Sequence, residues 1–310
     1  MKTKILRNIF LSLGVIFGLA TTAHAQNLYV TVLGPGRILE YTPSGVQSTF
    51  DSGQQPPGLS APRGLAFDSI GNLFAAETVL PPDHTADGIG RVLKFDLNNH
   101  VSTLGTIRTN GEDIFLEGLA TDIAGNAYVM ATTSTAPLFP GTIFEFTPSG
   151  ERIVFGSIDG QGWGLAFDST GNLYVADGDA QTVYKFAPNG TRSVFVGPSV
   201  FAPGENPVGL AFDSSGNLFV SIETFTVSGA DSIVYFTPTG VKNTFATGLT
   251  TPRGLAFDSS GNLFVAESNR APAGDILKYP PGGGSPTVFA SGLNRPQFLT
   301  FGPPRLPSGL

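Results

Sequence analysis

The sequence contains no cysteine, which excludes disulfides and thiolate chemistry. Histidine is nearly as rare, with three residues, and charged side chains make up only 13% of the 310 residues. So few histidines disfavour enzymes that rely on a set of imidazole groups. Long apolar runs are also missing beyond residue 25, so the sequence predicts no membrane-spanning helix.

Basic residues are few, and three of the 17 lie in the first 25 residues. The basic segment 2–7 precedes an apolar stretch, 9–20, that is too short to span a bilayer, and Ala-His-Ala at 23–25 is typical of a signal-peptide cleavage site. We therefore expect a signal peptide over 1–25, cleavage after Ala25, and a secreted or periplasmic protein. The remaining 14 basic residues stand against 24 acidic ones, a net charge of −10, so no binding to nucleic acid is expected.

Glycine and phenylalanine are abundant, with 40 and 25 residues, and both recur in an internal repeat. In its common form the motif reads Gly-Leu-Ala-Phe-Asp-Ser-x-Gly-Asn-Leu-Phe, and its first glycines are spaced by 54, 46, 45 and 45 residues. These glycines are Gly64, Gly118, Gly164, Gly209 and Gly254. A sixth, partial copy at 298–301 lacks its second half, which is found at the other end of the chain, at 27–30.

Each repeat contains four short strands, which we name A to D. The A–B link is a tight hairpin in which the aspartate caps its own turn and the glycine takes a positive φ. Four antiparallel strands with a period near 45 residues are typical of one propeller blade, and complementary half-repeats at the two ends predict closure of a ring.

We therefore predict an all-β, six-bladed β-propeller over residues 26–302, with a short C-terminal tail at 303–310. Its closing blade combines N-terminal strands, within 27–52, with the C-terminal strand 298–301. We expect a monomer. Four phenylalanines at the end of strand A are expected to pack between neighbouring blades: Phe67, Phe167, Phe212 and Phe257.

The recurrent string Gly-Leu-Ala-Phe-Asp-x-x-Gly-Asn-Leu-Tyr-Val-Ala-Asp/Glu resembles the NHL repeat, and the resemblance covers residues 27–301. It is also similar to the propeller group of SMP-30/gluconolactonase-like proteins and streptogramin lyases. This resemblance implies the propeller fold, and it implies lactonase, lyase or pure binding functions. The lyases rely on histidines around the channel, and only His84 and His100 follow the expected signal peptide, which makes a lyase the least favoured function.

The residue before each strand A is predicted to line the mouth of the central channel, on the face that carries the long, variable B–C and D–A loops. These six residues, named the mouth ring here, are Arg63, Glu117, Trp163, Val208, Arg253 and Gln297. All except Val208 are candidate ligand-binding residues, since guanidinium groups bind carboxylate or phosphate and a tryptophan can stack on a sugar. Alternatively, the two arginines belong to a repeated Pro-Arg-Gly turn and donate to loop carbonyls.

Acidic residues near the end of strand B form a second candidate set. This set consists of Glu77, Asp177, Glu223 and Glu267, and Glu117 resembles the metal-ligating glutamate of SMP-30-like hydrolases. Carboxylates from several blades predict a site for Ca²⁺ or another divalent cation, with Glu117, Glu77, Asp177 and Glu267 as ligands. Alternatively, these carboxylates tie down their own hairpins.

Two functions follow from these candidates. The first is an exported propeller that binds a small anionic or carbohydrate-like ligand, or a protein partner, at the channel mouth. The alternative is a metal-dependent lactonase, in which Glu117 and neighbouring carboxylates hold the ion. Whether the chain is an enzyme stays open at this point.

Overall fold

A computed structural model describes residues 26–34, 36–50, 59–79, 88–109, 113–133, 140–224, 230–269 and 274–303. Within these ranges, 24 strands form six four-stranded antiparallel sheets, and the only helical segment is a 3-10 turn, Pro198–Val200. The predicted six-bladed propeller is confirmed. The part of the chain described contains no helix long and apolar enough to cross a membrane.

The strands of blades 1 to 3 follow the chain outward from the central channel. Blade 1 consists of β4 (Pro62–Phe67), β5 (Leu73–Val79), β6 (Ile89–Phe95) and β7 (Val101–Arg108). Blade 2 consists of β8 (Ile114–Thr121), β9 (Ala127–Thr133), β10 (Gly141–Phe146) and β11 (Arg152–Ile158). Blade 3 consists of β12 (Gly162–Phe167), β13 (Leu173–Asp177), β14 (Thr182–Phe186) and β15 (Arg192–Val196).

Blades 4 to 6 complete the ring. Blade 4 consists of β16 (Asn206–Phe212), β17 (Leu218–Glu223), β18 (Asp231–Phe236) and β19 (Lys242–Leu249). Blade 5 consists of β20 (Pro252–Phe257), β21 (Leu263–Glu267), β22 (Gly274–Tyr279) and β23 (Thr287–Leu293). Blade 6 consists of β24 (Pro296–Gly302), β1 (Asn27–Val32), β2 (Arg37–Tyr41) and β3 (Gln47–Thr49).

Blade 6 closes the ring by pairing the two ends of the chain, as the half-repeats predict. β24 runs antiparallel to β1, with Leu28 opposite Phe301 and Tyr29 opposite Thr300. The hydroxyl of Thr31 donates to the Phe298 carbonyl at 3.2 Å, across 267 residues of sequence. The innermost strand of blade 6, β24, and the second strand, β1, therefore come from opposite ends of the chain.

Aromatic rings fill the space between neighbouring blades. In blade 4, Phe219 on strand B contacts Phe245 on strand D and Phe257 on strand A of the next blade, with centroids 5.1 and 4.9 Å apart and near-perpendicular planes. The same edge-to-face arrangement is centred on Tyr29, Tyr128, Tyr174 and Phe264. The four strand-A phenylalanines named above all take part, which confirms that prediction.

The A–B hairpins have the expected turn chemistry. In blade 4, Asp213 Oδ1 accepts hydrogen bonds from the backbone N–H groups of Ser215 and Asn217, at 2.9 and 2.8 Å, and Gly216 has a φ of 81°. Because that φ lies in the left-handed region, glycine is the favoured residue there. These short turns occupy the face opposite the channel mouth.

A bulge in every blade shapes the channel. Strands A and B pair on both sides of an interruption at which two residues of strand A face one residue of strand B. The first of the two is the mouth-ring residue, and the second is the motif glycine, or Phe298 in blade 6. Such a bulge interrupts the regular alternation of side chains along a strand, so the mouth-ring residue and the motif residue after it share one interruption in every blade.

The motif glycine lets neighbouring blades approach closely. A Cβ atom on Gly209 would overlap the carbonyl oxygen of Arg253, on the next blade. We expect Gly209→Ala to lower the free energy of unfolding by about 1–3 kcal/mol in urea denaturation, because two blades must move apart. The matched control is Gly197→Ala, where φ is −97° and the nearest atom to a Cβ lies 3.6 Å away. Equal effects of the two substitutions would contradict this packing argument.

Candidate functional site

Five of the six mouth-ring residues form a cluster of polar and aromatic side chains, and one residue of strand B joins them. Val208, the blade 4 member of the ring, is apolar and fully buried. Glu223, at the end of β17 in the same blade, approaches Arg253 in its place. Each of the six blades thus contributes one polar or aromatic side chain to this cluster, named the mouth cluster here: Arg63, Glu117, Trp163, Glu223, Arg253 and Gln297.

Arg63 and Glu117 form the first ion pair of the mouth cluster, between blades 1 and 2. Arg63 Nη1 donates to both carboxylate oxygens of Glu117, at 2.5 and 2.6 Å. The Glu117 side chain is 1% exposed and that of Arg63 is 16% exposed. This carboxylate is therefore bound by a guanidinium group that partly faces the solvent.

Arg253 contacts the three remaining members of the mouth cluster. Its Nε lies 2.9 Å from Glu223 Oε1, but without the alignment of a hydrogen bond, and its Nη2 donates to Glu223 Oε2 at 3.4 Å. Its Nη1 lies 3.5 Å from Gln297 Oε1, and its Cζ lies 4.6 Å from the ring centroid of Trp163. One guanidinium group thus joins blades 3, 4, 5 and 6.

Gln297 is positioned by its own blade and by blade 5. Its amide nitrogen donates to Ser268 Oγ at 2.5 Å and to the carbonyls of Arg295 and Pro296 at 3.1 and 3.2 Å. The amide oxygen is therefore turned towards Arg253. Because Gln297 is 1% exposed, this orientation is set by buried contacts rather than by solvent.

The mouth cluster behaves as one electrostatic unit with no net charge, since two guanidinium groups offset two carboxylates. Burial raises the pKa of Glu223, and the neighbouring carboxylates of Asp231 and Glu117 raise it further, whereas the guanidinium groups of Arg253 and Arg63 lower it. Glu223 thus responds to both arginines. A site balanced in this way offers hydrogen-bond donors and acceptors together, rather than a field of one sign.

Three buried polar atoms in the mouth cluster lack an aligned hydrogen bond among the described residues. They are Arg63 Nε, Arg253 Nε and Glu223 Oε1. Buried polar atoms are nearly always satisfied in folded proteins, so such atoms indicate a further partner, either water or a ligand. Two of them are donors and one is an acceptor.

The arginines are expected either to bind a ligand or to donate to loop carbonyls, and neither expectation fully describes the observed contacts. Among the described residues, Arg63 and Arg253 donate to carboxylates and an amide oxygen, and not to loop carbonyls. Trp163 is only 7% exposed, with Arg253 lying over its ring, so it presents no open stacking surface in this structure. The five predicted ligand residues are brought together, and their role in binding remains a prediction.

The predicted metal ligands do not converge. Glu77 accepts from Ser60 N, Asp177 from Gly160 N and Glu267 from Thr250 N, at 3.0, 3.1 and 2.8 Å. Each carboxylate thus holds the loop that enters strand A of its own blade, always 17 residues earlier in the chain. This agrees with a local structural role. Two of these carboxylates also hold the B–C hairpin, since Asp177 accepts from Ala180 N at 2.9 Å and Glu77 pairs with Arg91 of strand C.

No group of three or more histidine, cysteine, aspartate or glutamate side chains is close enough to hold a metal within the described ranges. Glu117, the fourth predicted ligand, already has both oxygens on Arg63. The donor set therefore does not fit a divalent cation as it stands, and the Ca²⁺ site remains an untested prediction. His84 and most of the long mouth loops lie outside the described residues.

Glu223 is the functional candidate whose position the sequence pattern misplaced. The segment Asn217-Leu-Phe-Val-Ser-Ile-Glu223 has one residue more than Asn262-Leu-Phe-Val-Ala-Glu267. Because a shift of one residue turns a side chain to the opposite face of a strand, Glu223 contacts Arg253 whereas Glu267 contacts its own D–A loop. Counting from the turn asparagine provides the signal that separates the two.

Asp177 gives a pH-dependent test of the loop contacts. Burial raises its pKa to about 6, against about 3.9 in an unfolded chain. The folded state therefore binds more protons between these values, and this group's contribution to stability falls as the pH rises from about 4 to about 6. Relative to Asp177→Asn, we expect wild-type protein to lose up to about 3 kcal/mol of unfolding free energy over that range in urea titrations. A constant difference between the two proteins would contradict the shifted pKa.

Comparison with known proteins shows the fold and nothing finer. No family model and no curated protein matches the sequence. Among solved structures, a protein of unknown function from Bacteroides caccae has a TM-score of 0.60 at 15% identity, covering 90% of this chain and 99% of its own. TolB from Acinetobacter baumannii has a TM-score of 0.65 at 11% identity, covering 90% and 67%.

Virginiamycin B lyase from Staphylococcus aureus has a TM-score of 0.52 at 13% identity, covering 91% of this chain and 86% of the lyase. The resemblance to streptogramin-lyase propellers is therefore confirmed at the level of the fold. The NHL-repeat and SMP-30/gluconolactonase resemblances remain predictions. The chain is a six-bladed β-propeller, and its fold is similar to those of virginiamycin B lyase and TolB.

Proposed function

We propose that this propeller is a binding module that holds a small, neutral, hydroxyl-rich ligand of the carbohydrate class at the mouth cluster. The observation that carries the proposal is the set of three buried polar atoms without aligned partners, on Arg63, Arg253 and Glu223. Arg253 Nε and Glu223 Oε1 lie 2.9 Å apart as a misaligned ion pair, and Arg63 Nε is a buried donor without an aligned acceptor. A sugar hydroxyl both donates and accepts, so it can complete the hydrogen bonds of such a site.

The charge balance of the site favours a neutral ligand over an anion. Each guanidinium group already faces a carboxylate that is at most 2% exposed, so an added anion would meet the repulsion of Glu117 and Glu223. Of the two expected ligand classes, anionic and carbohydrate-like, the charge balance therefore favours the carbohydrate-like one. Because Arg253 covers the Trp163 ring, recognition rests on hydrogen bonds and not on stacking.

The test uses Trp163, the only tryptophan, as a reporter inside the mouth cluster. A panel of neutral mono- and oligosaccharides is titrated while Trp163 fluorescence and calorimetric heat are recorded, alongside citrate and inorganic phosphate as anions. We expect a saturable response to a neutral sugar and none to the anions. The double variant Arg253→Gln/Glu223→Gln removes both charges at once, and we expect it to weaken binding by about tenfold or more.

The matched control is Arg192→Gln, which removes a guanidinium group that is 37% exposed and paired with exposed Asp159 on blade 3. It should leave sugar binding unchanged. Binding of an anion in place of sugars, or equal binding by the double variant, would overturn the proposal. If EDTA instead abolishes hydrolysis of a lactone by the wild-type protein, the hydrolase alternative replaces it.

Export belongs to the same proposal. It is supported by the basic, apolar and Ala-His-Ala pattern of residues 1–25, which lie outside the described residues. The measurement is the intact mass of the protein recovered from the periplasm or medium of an expressing bacterium. We expect a chain that begins at Gln26, and an uncleaved chain would contradict this part of the proposal.

A further inference from the structure

A cavity of about 660 Å³ lies between blades 4 and 5, on the face opposite the mouth cluster. Its floor is aromatic, with Phe219, Tyr235, Phe245 and Phe257. Two A–B turn carboxylates, Asp213 and Asp258, lie at its rim, and no lysine or arginine lines it among the described residues. The cavity therefore combines π-faces with negative charge.

The other blades show what occupies the equivalent place. In three of them, a lysine of strand C lies opposite the strand-B aromatic residue and places its ammonium group over that ring. The distances from Nζ to the ring centroid are 5.8 Å for Lys94 over Phe74, 5.4 Å for Lys185 over Tyr174 and 5.2 Å for Lys278 over Phe264. In blade 3 the same ammonium lies 3.8 Å from the turn carboxylate of Asp168.

Blade 4 departs from this arrangement. Tyr235 is opposite Phe219, where the three sibling blades have lysine, and the two rings stack with centroids 5.1 Å apart and planes 19° apart. The substitution keeps an aromatic surface and removes the positive charge, while the turn aspartate, Asp213, remains. The cation that balances this carboxylate in blade 3 is thus missing in blade 4.

A second departure from the repeat borders the same cavity. The C–D turn of blade 5 reads Pro-Pro-Gly-Gly-Gly at 280–284, in place of the common Thr-Pro-Ser-Gly turn. Pro280, Pro281 and Gly282 form a wall of the cavity, and Gly283 packs beside the Phe245 ring. In blades 2 and 6 the strand-C position holds Glu145 and Glu40, so blade 4 is the one blade with an aromatic residue there among the described residues. This aromatic residue and the irregular turn meet at one place, which points to a ligand.

We propose that the cavity between blades 4 and 5 binds a small organic cation that carries a primary ammonium group, in the role that lysine fills in blades 1, 3 and 5. The ammonium group is attracted to the π-faces of Tyr235 and Phe219 and to the carboxylates of Asp213 and Asp258. A short aliphatic chain behind it contacts Phe245 and Phe257. This site is separate from the mouth cluster and does not depend on its proposed ligand.

The probe is n-butylammonium chloride, titrated into ¹⁵N-labelled protein and followed by amide chemical shifts, with n-butanol as the neutral isostere. We expect saturable shifts around Tyr235 and Asp213 with n-butylammonium only, and weaker binding at high salt because exposed charges are screened. Equal responses to amine and alcohol, or no response to the amine, would overturn the proposal.

Two variants test the site itself. Tyr235→Lys restores the residue of the sibling blades, so it should fold with an unchanged melting temperature and weaken n-butylammonium binding by about tenfold or more. Asp213→Asn keeps the oxygen that accepts the two backbone hydrogen bonds of the turn, loses the bond from Asn217 Nδ2 and removes the charge, so it should weaken binding by several-fold. The control Val241→Lys adds the same charge at an exposed position outside the cavity and should bind as wild type does. Wild-type affinity in both Tyr235→Lys and Asp213→Asn would contradict the proposal.

Discussion

Deletion of residues 298–310 is expected to unfold the propeller under conditions in which the intact chain is folded. The deletion removes most of β24, which pairs with β1 in blade 6 and is the innermost strand there. Phe298 and Leu299 are 9% and 5% exposed, and Phe301 lies edge-on to Phe264 of blade 5 at 5.0 Å. Each of these side chains contributes about 1.5–3 kcal/mol when fully buried, and a domain of this kind has about 5–15 kcal/mol in total.

The loss also spreads to both neighbouring blades. Gly302 packs beside the Phe67 ring of blade 1, and the Gln297 backbone next to the deletion packs against Gly254 of blade 5. Without β24, the long edge of β1 is left unpaired, which invites association with other chains. Thermal melting followed by circular dichroism measures the effect.

A shorter truncation provides the control. Removal of 304–310 leaves every described contact of β24 in place, including the hydrogen bond from the Tyr29 hydroxyl to Pro303 O at 3.0 Å. We expect that protein to melt as the full chain does. A melting temperature unchanged by the longer deletion would mean that the ring closes without β24.

The second large effect is expected from Arg253→Ala. The substitution leaves Glu223, 1% exposed, without its guanidinium partner and close to the charges of Asp231 and Glu117. Removal of one partner from a buried ion pair costs about 3–5 kcal/mol, because the remaining charge has neither water nor a counter-ion. The free energy of unfolding in urea should fall by that amount at neutral pH.

The pH dependence distinguishes this cause from lost packing on Trp163. Burial already raises the pKa of Glu223, and loss of the Arg253 charge raises it further. The folded variant then takes up a proton at a higher pH than the unfolded chain does. Its deficit in unfolding free energy relative to wild type therefore shrinks as the pH falls towards 5.

A second variant and a control complete the test. Adding Glu223→Gln to Arg253→Ala should recover most of the loss of unfolding free energy at neutral pH. Arg192→Ala, an exposed control, should cost about 1 kcal/mol or less. A deficit that is the same at both pH values, with no recovery in the double variant, would assign the effect to packing instead.

The sequence predicts the fold well because its repeat encodes the contacts that matter at every level. The motif glycine, the strand-A phenylalanine and the turn aspartate each recur at fixed positions, and each has the role that its chemistry suggests. The two half-repeats at the chain ends are sufficient to predict β24 beside β1. Local pattern and global topology agree here, as they do in well-specified folds.

The mouth cluster is predicted only in part. Its members on strand A follow from one rule, the residue before the motif glycine, and the structure brings Arg63, Glu117, Trp163, Arg253 and Gln297 together. Their pairing does not follow from the sequence, since a guanidinium group on a long side chain can reach across a channel. Arg253 passes over blade 4 to lie on Trp163 of blade 3, and a strand-B residue, Glu223, becomes its counter-ion.

The seam between β1 and β24 has a mechanical consequence. The pair nearest both chain ends is Asn27 opposite Gly302, and the remaining pairs continue from there in antiparallel order. Tension applied between the two ends therefore loads one rung of the ladder at a time, as in a zipper, instead of sharing the load over all rungs as shear would. A propeller tethered or pulled through its ends would open at blade 6 at low force, although we expect the same strand to be necessary for its thermal stability.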